Sequence, residues 1–170
     1  PEAAAAGEIV YDIAKEWQRT GHLSELPAEA ERALYAALSS DTGCFRYSNV
    51  TPKTHLRAAE LVASGIDCAE INRRLFENKS LERLRAQSAA ISNMEIFANG
   101  KIAVVTFPYA LKAALGLGDE DLGALVDIPR SLSGVEVALC IRQPLPEGKF
   151  RVSVRSNGDY DVAELCRKFD

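Results

Sequence analysis

The hydrophobic period of this chain changes once, close to residue 93, and no other feature narrows the fold as much. Before that point apolar residues recur at helical spacing. Val10, Ile13, Ala14 and Trp17 fall at i, i+3, i+4 and i+7, which places them on one helix face. Pro27 opens a second helix with Ala30, Leu34, Ala37 and Leu38 along one side. Its apolar pattern stops at Ser39-Ser40-Asp41-Thr42-Gly43, which reads as a small polar loop. Thr51-Pro52 starts a third helix that Gly65 should end, Asp67-Cys68-Ala69-Glu70 opens a fourth, and Ser80 caps a fifth. Beyond residue 93 the spacing is that of strands. Asn99-Gly100 separates two apolar runs between Met94 and Phe107, the pattern of a hairpin with a tight type I′ turn. A helical stretch is expected between Pro108 and Leu132. Val135, Val137, Leu139 and Ile141 then alternate, as do Phe150, Val152 and Val154, and Asp161 caps a last helix through Val162, Leu165 and Phe169. The resulting expectation is α/β overall: a helical region at 1–66, a helical connector at 67–93, and a small α+β domain at 94–170 with a mostly antiparallel sheet.

Composition excludes several classes. The 170 residues carry a formal net charge of −4, which argues against a dedicated binder of long nucleic acid, whose surface is normally basic. A short anionic ligand stays within reach, because a few arginines can hold one. The four cysteines (Cys44, Cys68, Cys140, Cys166) form no CxxC pair and read as free thiols of a reducing cytoplasm. No apolar run has the length of a membrane span.

The chemistry concentrates in Asp41-Thr42-Gly43-Cys44-Phe45-Arg46-Tyr47-Ser48-Asn49. An Asp ahead of a small residue and a Gly, at the end of an apolar element, can aim a carboxylate into a cleft, and hard divalent cations favour such oxygens. From spacing alone Asp41 serves equally well as a turn former, and Arg46 as a surface residue. Arg151 and Arg155 share one face of a strand, either as an exposed charged edge or as a grip for phosphate. Arg73, Arg74, Arg83 and Arg85 read as solvated faces, Tyr11 and Trp17 as packing anchors, and His22 and His55 as structural or surface residues.

The run DTGCFRYSNVTPKTHLRAAELVASGIDCAEINRRLFE resembles the last motif of the DHH-family phosphoesterases, in particular the bacterial branch that degrades very short RNA and dephosphorylates 3′-phosphoadenosine 5′-phosphate. The opening PEAAAAGEIVYDIAKEW is similar to the segment after that family's Asp-His-His motif, and RVSVRSNGDYDVAELCRKF resembles its DHH-associated, substrate-binding domain. The resemblance implies that 1–66 is the rear part of a DHH domain. It also implies that Asp41 is a metal ligand and catalytic residue, with Mn2+ as cofactor or Mg2+ in its place. Thr42, Gly43, Phe45 and Arg46 would shape the loop, while Arg155, Ser156 and Arg46 would bind substrate. The implied partners are a short oligoribonucleotide or nucleotide in the cytoplasm, with no membrane, and a homo-oligomer is compatible with this reading.

Departures from the family pattern set a second expectation. Neither an Asp-x-Asp motif nor Asp-His-His is present, and the chain stops at Asp170, where the glycine-rich Gly-Gly-Gly-His stretch should begin. The chain is thus expected to be a fragment without activity of its own, since a two-metal centre needs several donors. Two other readings stay open: a cyclic-dinucleotide or polyphosphate phosphoesterase of the same superfamily, and a non-catalytic RNA- or nucleotide-binding module. Loss of the front of the first domain should also leave apolar faces of the helices at 8–18 and 28–38 uncovered.

Overall fold

The computed structural model describes residues 3–158 and 160–168. The chain divides into two units, Pro1–Asn78 and Lys79–Asp170, with the boundary inside the stretch 67–93. The mixture of helices with a four-stranded sheet is the α/β character expected from the change of period.

The first unit is helical: α1 (Ala6–Arg19), α2 (Ala28–Asp41), α3 (Pro52–Ala63) and α4 (Cys68–Asn72), the last running into one π-helical turn (Arg73–Glu77). Local signals set these boundaries. Thr51 Oγ1 accepts from the Thr54 amide while the Thr54 hydroxyl accepts from the Thr51 amide, a reciprocal cap with Pro52 at the first helical position. Gly65 follows α3 with φ of 94°, a left-handed stop that a side chain would disfavour. Asp67 Oδ1 accepts from the Glu70 amide at 2.9 Å and starts α4. Tyr11, Leu34, Tyr35, Leu38, Leu61 and Ile66 form the core between these helices.

The expectation of uncovered apolar faces holds for most of the α1 stripe, which leaves Trp17 exposed rather than a packing anchor, and fails for α2. In α1 the inward side is Gly7, Glu8, Tyr11 and Ala14, whereas Val10, Ile13 and Trp17 are about half exposed. The reason is close packing at Gly7: a Cβ there would lie 2.9 Å from Ala37 Cβ, so α1 meets α2 along its small residues and turns its bulky stripe outward. The apolar side of α2 is covered instead, with Leu34, Tyr35 and Leu38 buried. That helix also continues to Asp41 through Ser39 and Ser40, polar residues whose pattern reads as a loop. Ser39 is fully buried, and its hydroxyl donates to Asn72 Oδ1 at 2.6 Å, which satisfies a polar group inside the last turn.

α1 and α3 are joined by charge. The Arg57 guanidinium, almost fully buried, donates from Nη1 to Glu8 Oε2 at 2.9 Å and from Nε to Asp12 Oδ1 at 2.8 Å, with a further bond from Nη2 to Asp12. Further along the same helices, Tyr11 donates its hydroxyl to Glu60, and Lys15 pairs with Glu60 at 3.3 Å. Such a pair, once buried, is costly to break from one side, because the remaining charge is left without a partner.

The second unit begins with α5 (Leu81–Ser92), capped by Ser80, whose hydroxyl accepts from the Arg83 amide at 3.0 Å. The sheet follows, in spatial order β1 (Met94–Phe97), β2 (Ile102–Phe107), β3 (Val137–Arg142), β4 (Arg151–Ser156). β1–β2 and β3–β4 are antiparallel, and β2–β3 are parallel, so the mostly antiparallel expectation holds. One face, with Ala103, Val105, Phe107, Ala138 and Cys140 at its centre, is covered by Ala86 and Ala90 of α5 and by the β2–β3 crossover. α8 (Val162–Arg167) starts where Asp161 Oδ1 accepts from the Glu164 amide; Phe169 and Asp159 lie outside the described residues.

Two local expectations are corrected. The hairpin between β1 and β2 exists, but the pairing of Phe97 with Ile102 leaves a four-residue loop, with positive φ at Ala98, Asn99 and Gly100. The helical stretch between Pro108 and Leu132 is broken into α6 (Tyr109–Ala114), a series of turns and a short α7 (Asp127–Arg130). Gly116, Gly118 and Gly123 in that segment each disfavour continued helix.

Two measurements test the α1–α3 junction. Arg57→Met should destabilise the first unit by about 3–5 kcal/mol, read from urea titration of its backbone amide signals, because Glu8 stays buried without its cation. The Arg57 hydrogen bond also holds the Asp12 carboxyl below its ordinary range. The stabilisation this brings is complete above the unfolded value, about 3.9, and is lost as pH falls through the lower folded value. The urea midpoint should therefore drop on acidification below about pH 4, and drop less steeply in Arg57→Met.

Candidate functional site

Asp41 is the last residue of α2, and the reversal that follows it is built from left-handed backbone. Gly43, Cys44 and Phe45 have φ of 57°, 59° and 59°. Two non-glycine residues in that region carry strain, which the surroundings must offset. The buried Thr42 side chain does so: its hydroxyl donates to the Leu38 carbonyl at 2.6 Å and accepts from the Phe45 amide at 3.0 Å. Gly43 packs against the Tyr47 ring so closely that a Cβ would penetrate the ring.

The carboxylate that this reversal presents sits in an unusual field. The carbonyl end of a helix carries partial negative charge, and α2 has no basic residue in its last turn to offset it. The Asp41 side chain accepts only from Ser40 Oγ, at 3.3 Å, among the described residues. A carboxylate added to the negative end of a helix costs on the order of 0.3–1 kcal/mol unless a cation stands nearby. The spot is thus electrostatically suited to a cation.

Arg46 belongs to the same reversal. Its Nε donates to the Gly43 carbonyl at 2.6 Å, while its two terminal nitrogens have no hydrogen-bond partner among the described residues. A guanidinium fixed at one nitrogen with its outer edge open is a ready donor to phosphate oxygens. Asn49 links this corner to the start of α1, its Nδ2 donating to the Asp41 carbonyl at 3.2 Å and to the Ala4 carbonyl at 3.0 Å. Asn49 closes the stretch that the sequence marks as informative, but nothing in the sequence assigns it this bridging role. His55 stacks on Phe45 at 5.4 Å between ring centroids, and His22 Nδ1 lies 2.9 Å from Thr20 Oγ1.

Arg155 and Ser156 lie on β4 in the second unit, so the fold brings Asp41 and Arg46 together in one unit and Arg155 and Ser156 in the other. Adjacent strand residues leave opposite faces. Arg155 shares its face with Arg151, as the spacing required, and donates from Nη1 to the Val154 carbonyl at 2.9 Å. The Ser156 hydroxyl, on the other face, donates to the Tyr160 carbonyl at 3.0 Å.

A manganese centre of the two-metal kind needs several converging donors. Among the described residues no three His, Cys, Asp or Glu side chains converge as a metal would require. Asp41 offers one carboxylate, so these residues do not compose a two-metal centre by themselves.

No family model matches the chain. It is 31% identical over 156 residues to a probable bifunctional oligoribonuclease and PAP phosphatase of Streptococcus mutans, covering 91% of this chain and 47% of that protein. A bifunctional oligoribonuclease and PAP phosphatase of Thermus thermophilus is 28% identical, over 99% of the chain and 48% of its own length. Nearly the whole chain is thus similar to proteins named as bifunctional oligoribonucleases and PAP phosphatases. An exopolyphosphatase-related protein of Bacteroides fragilis shares its structure with a TM-score of 0.88 and 25% identity, over 99% of this chain and 48% of that one. The chain spans about half the length of the relatives it matches. None of the helices among the described residues is long and apolar enough to cross a membrane.

The loop geometry gives a direct test. Gly43→Ala should cost at least about 1 kcal/mol, because it adds a left-handed penalty to a clash with Tyr47. The urea midpoint should fall, and the amide signals of residues 41–47 should shift well beyond the substituted position.

Proposed function

We propose that this chain is part of a phosphoester hydrolase that cleaves short oligoribonucleotides and removes a phosphate from 3′-phosphoadenosine 5′-phosphate. The observation that carries the reading is the extent of the likeness, 91% and 99% of the chain against two proteins bearing those activities in their names. The Asp41 corner supports it: a strained, tightly bonded reversal holds a carboxylate at the negative end of a helix, and Arg46 of the same reversal keeps its outer edge open. In this reading Asp41 supplies one oxygen ligand to Mn2+, with Mg2+ as the substitute, and Arg46 and Arg155 hold phosphate. Ser156 is assigned to substrate by the family resemblance alone, since its hydroxyl leaves the other face of β4 and is given to the Tyr160 carbonyl. In this reading the chain by itself turns over no substrate, since a two-metal centre needs several donors and Asp41 supplies one.

A second substrate, polyphosphate, is favoured by the likeness to the exopolyphosphatase-related structure. Both substrates carry several phosphate groups, and the same arginines suit either.

Manganese titration tests the Asp41 assignment without depending on turnover. Mn2+ should broaden the amide signals of residues 40–43 first, and Asp41→Ala should weaken that effect at least tenfold. Broadening that begins elsewhere, or survives the substitution, overturns the assignment. A parallel assay with di- to tetraribonucleotides, the bisphosphonucleotide and polyphosphate should show no product. Manganese-dependent turnover lost in Asp41→Ala would uphold the reaction class and overturn the expectation that the chain is silent.

A further inference from the structure

The end of the sheet farthest from Ser156 holds an arrangement that the function above does not use. In the antiparallel register of β3 and β4, Arg142 lies directly opposite Arg151. Two like charges in that position repel each other and weaken the strand pair. Both side chains line one hollow with Asp119, Leu122 and Pro144. Asp119, the single carboxylate in that lining, is already engaged by the Lys112 ammonium, the leading cause of its lowered pKa. Lys112 is itself largely buried and also donates to the Pro144 carbonyl at 3.3 Å. Three cationic groups thus stand around one acid, in a protein whose net charge is −4.

The two arginines are prepared differently. Arg142 donates from Nη1 to the Leu122 carbonyl at 2.8 Å, which anchors its guanidinium and leaves its remaining N–H groups to point elsewhere. Arg151 is exposed and makes no hydrogen bond or ion pair among the described residues. One anchored fork and one open fork, side by side, match the several oxygens of a phosphate better than they match each other. A bound dianion would also relieve the cross-strand repulsion.

We infer that Arg142 and Arg151 form a phosphate-binding site on the second unit, separate from Arg155. The two arginines of β4 are four residues apart, about 13 Å along the strand, so one phosphate does not bridge them. The ligand is a phosphate group, either inorganic phosphate or a phosphate of a short oligoribonucleotide. The second source rests on the proposed phosphoesterase reading; the site itself does not.

The experiment uses the full chain and follows the arginine Nε–Hε NMR signals. Inorganic phosphate, added against chloride at matched ionic strength, should shift the Arg142 and Arg151 signals saturably. Arg151→Gln should weaken phosphate binding at least tenfold and, in chloride alone, raise the thermal midpoint by removing the like-charge pair. Lys149→Gln, outside the hollow, should change the affinity less than twofold. A 5′-phosphorylated triribonucleotide that displaces inorganic phosphate identifies the nucleotide as the source, and one that leaves it bound identifies free phosphate. Shifts that are unsaturable, equal in chloride, or retained in Arg151→Gln overturn the site. Triribonucleotide binding that Arg155→Gln abolishes and Arg151→Gln leaves intact, with inorganic phosphate still bound at Arg142 and Arg151, assigns the site to free phosphate and spares the phosphoesterase reading. Saturable phosphate binding at Arg142 and Arg151 with no triribonucleotide binding keeps the site and removes the oligoribonucleotide reading.

Discussion

The first unit depends on Arg57. Its guanidinium is withdrawn from water between Glu8 and Asp12, and three of its N–H groups are spent on their carboxylates. Attraction in a water-poor setting is strong, but so is the cost of stripping hydration from the charges, and the balance is favourable only when the geometry is nearly complete. That requirement makes the triad a device of position. It admits one register of α1 against α3, and α2, packed against both, is set in turn. Asp41, at the end of α2, is therefore placed by a contact made by residues 8, 12 and 57.

The corner around Asp41 shows the same economy in polar groups. Thr42 uses one hydroxyl to end α2 and to start the left-handed reversal, donating to one carbonyl and accepting from one amide. Asn49 uses one amide group to join the end of α2 to the residues before α1. With strain in Cys44 and Phe45 and a carboxylate at the negative end of a helix, the corner stores free energy that packing in the rest of the unit offsets. Features of this kind concentrate where a ligand is held, and a bound cation would relieve the electrostatic part.

The second unit handles charge differently. Its sheet has one closely packed face, and arginines occur at the margin of that face, where long side chains reach solvent past the core. Strand alternation then assigns each residue a side. Arg151 and Arg155 share one face and Ser156 takes the other, so neighbours in sequence have separate surroundings.

Much of this was legible in the sequence, because short-range rules govern it. The switch from helix to strand, the caps at Thr51, Asp67, Ser80 and Asp161, the stop at Gly65 and the shared face of Arg151 and Arg155 follow from residues a few positions apart. The Asp41 stretch was also visible, although its place at the end of a helix was not, since the burial of Ser39 depends on Asn72, 33 residues away. Tertiary packing alone decided which side of α1 faces inward, how Arg57 is paired and that Arg142 lies opposite Arg151. The physical reason is common to all three. Periodicity shows that a helix or strand has two unlike sides, but which side is buried, and which charge meets which, depends on partners brought together only when the chain folds.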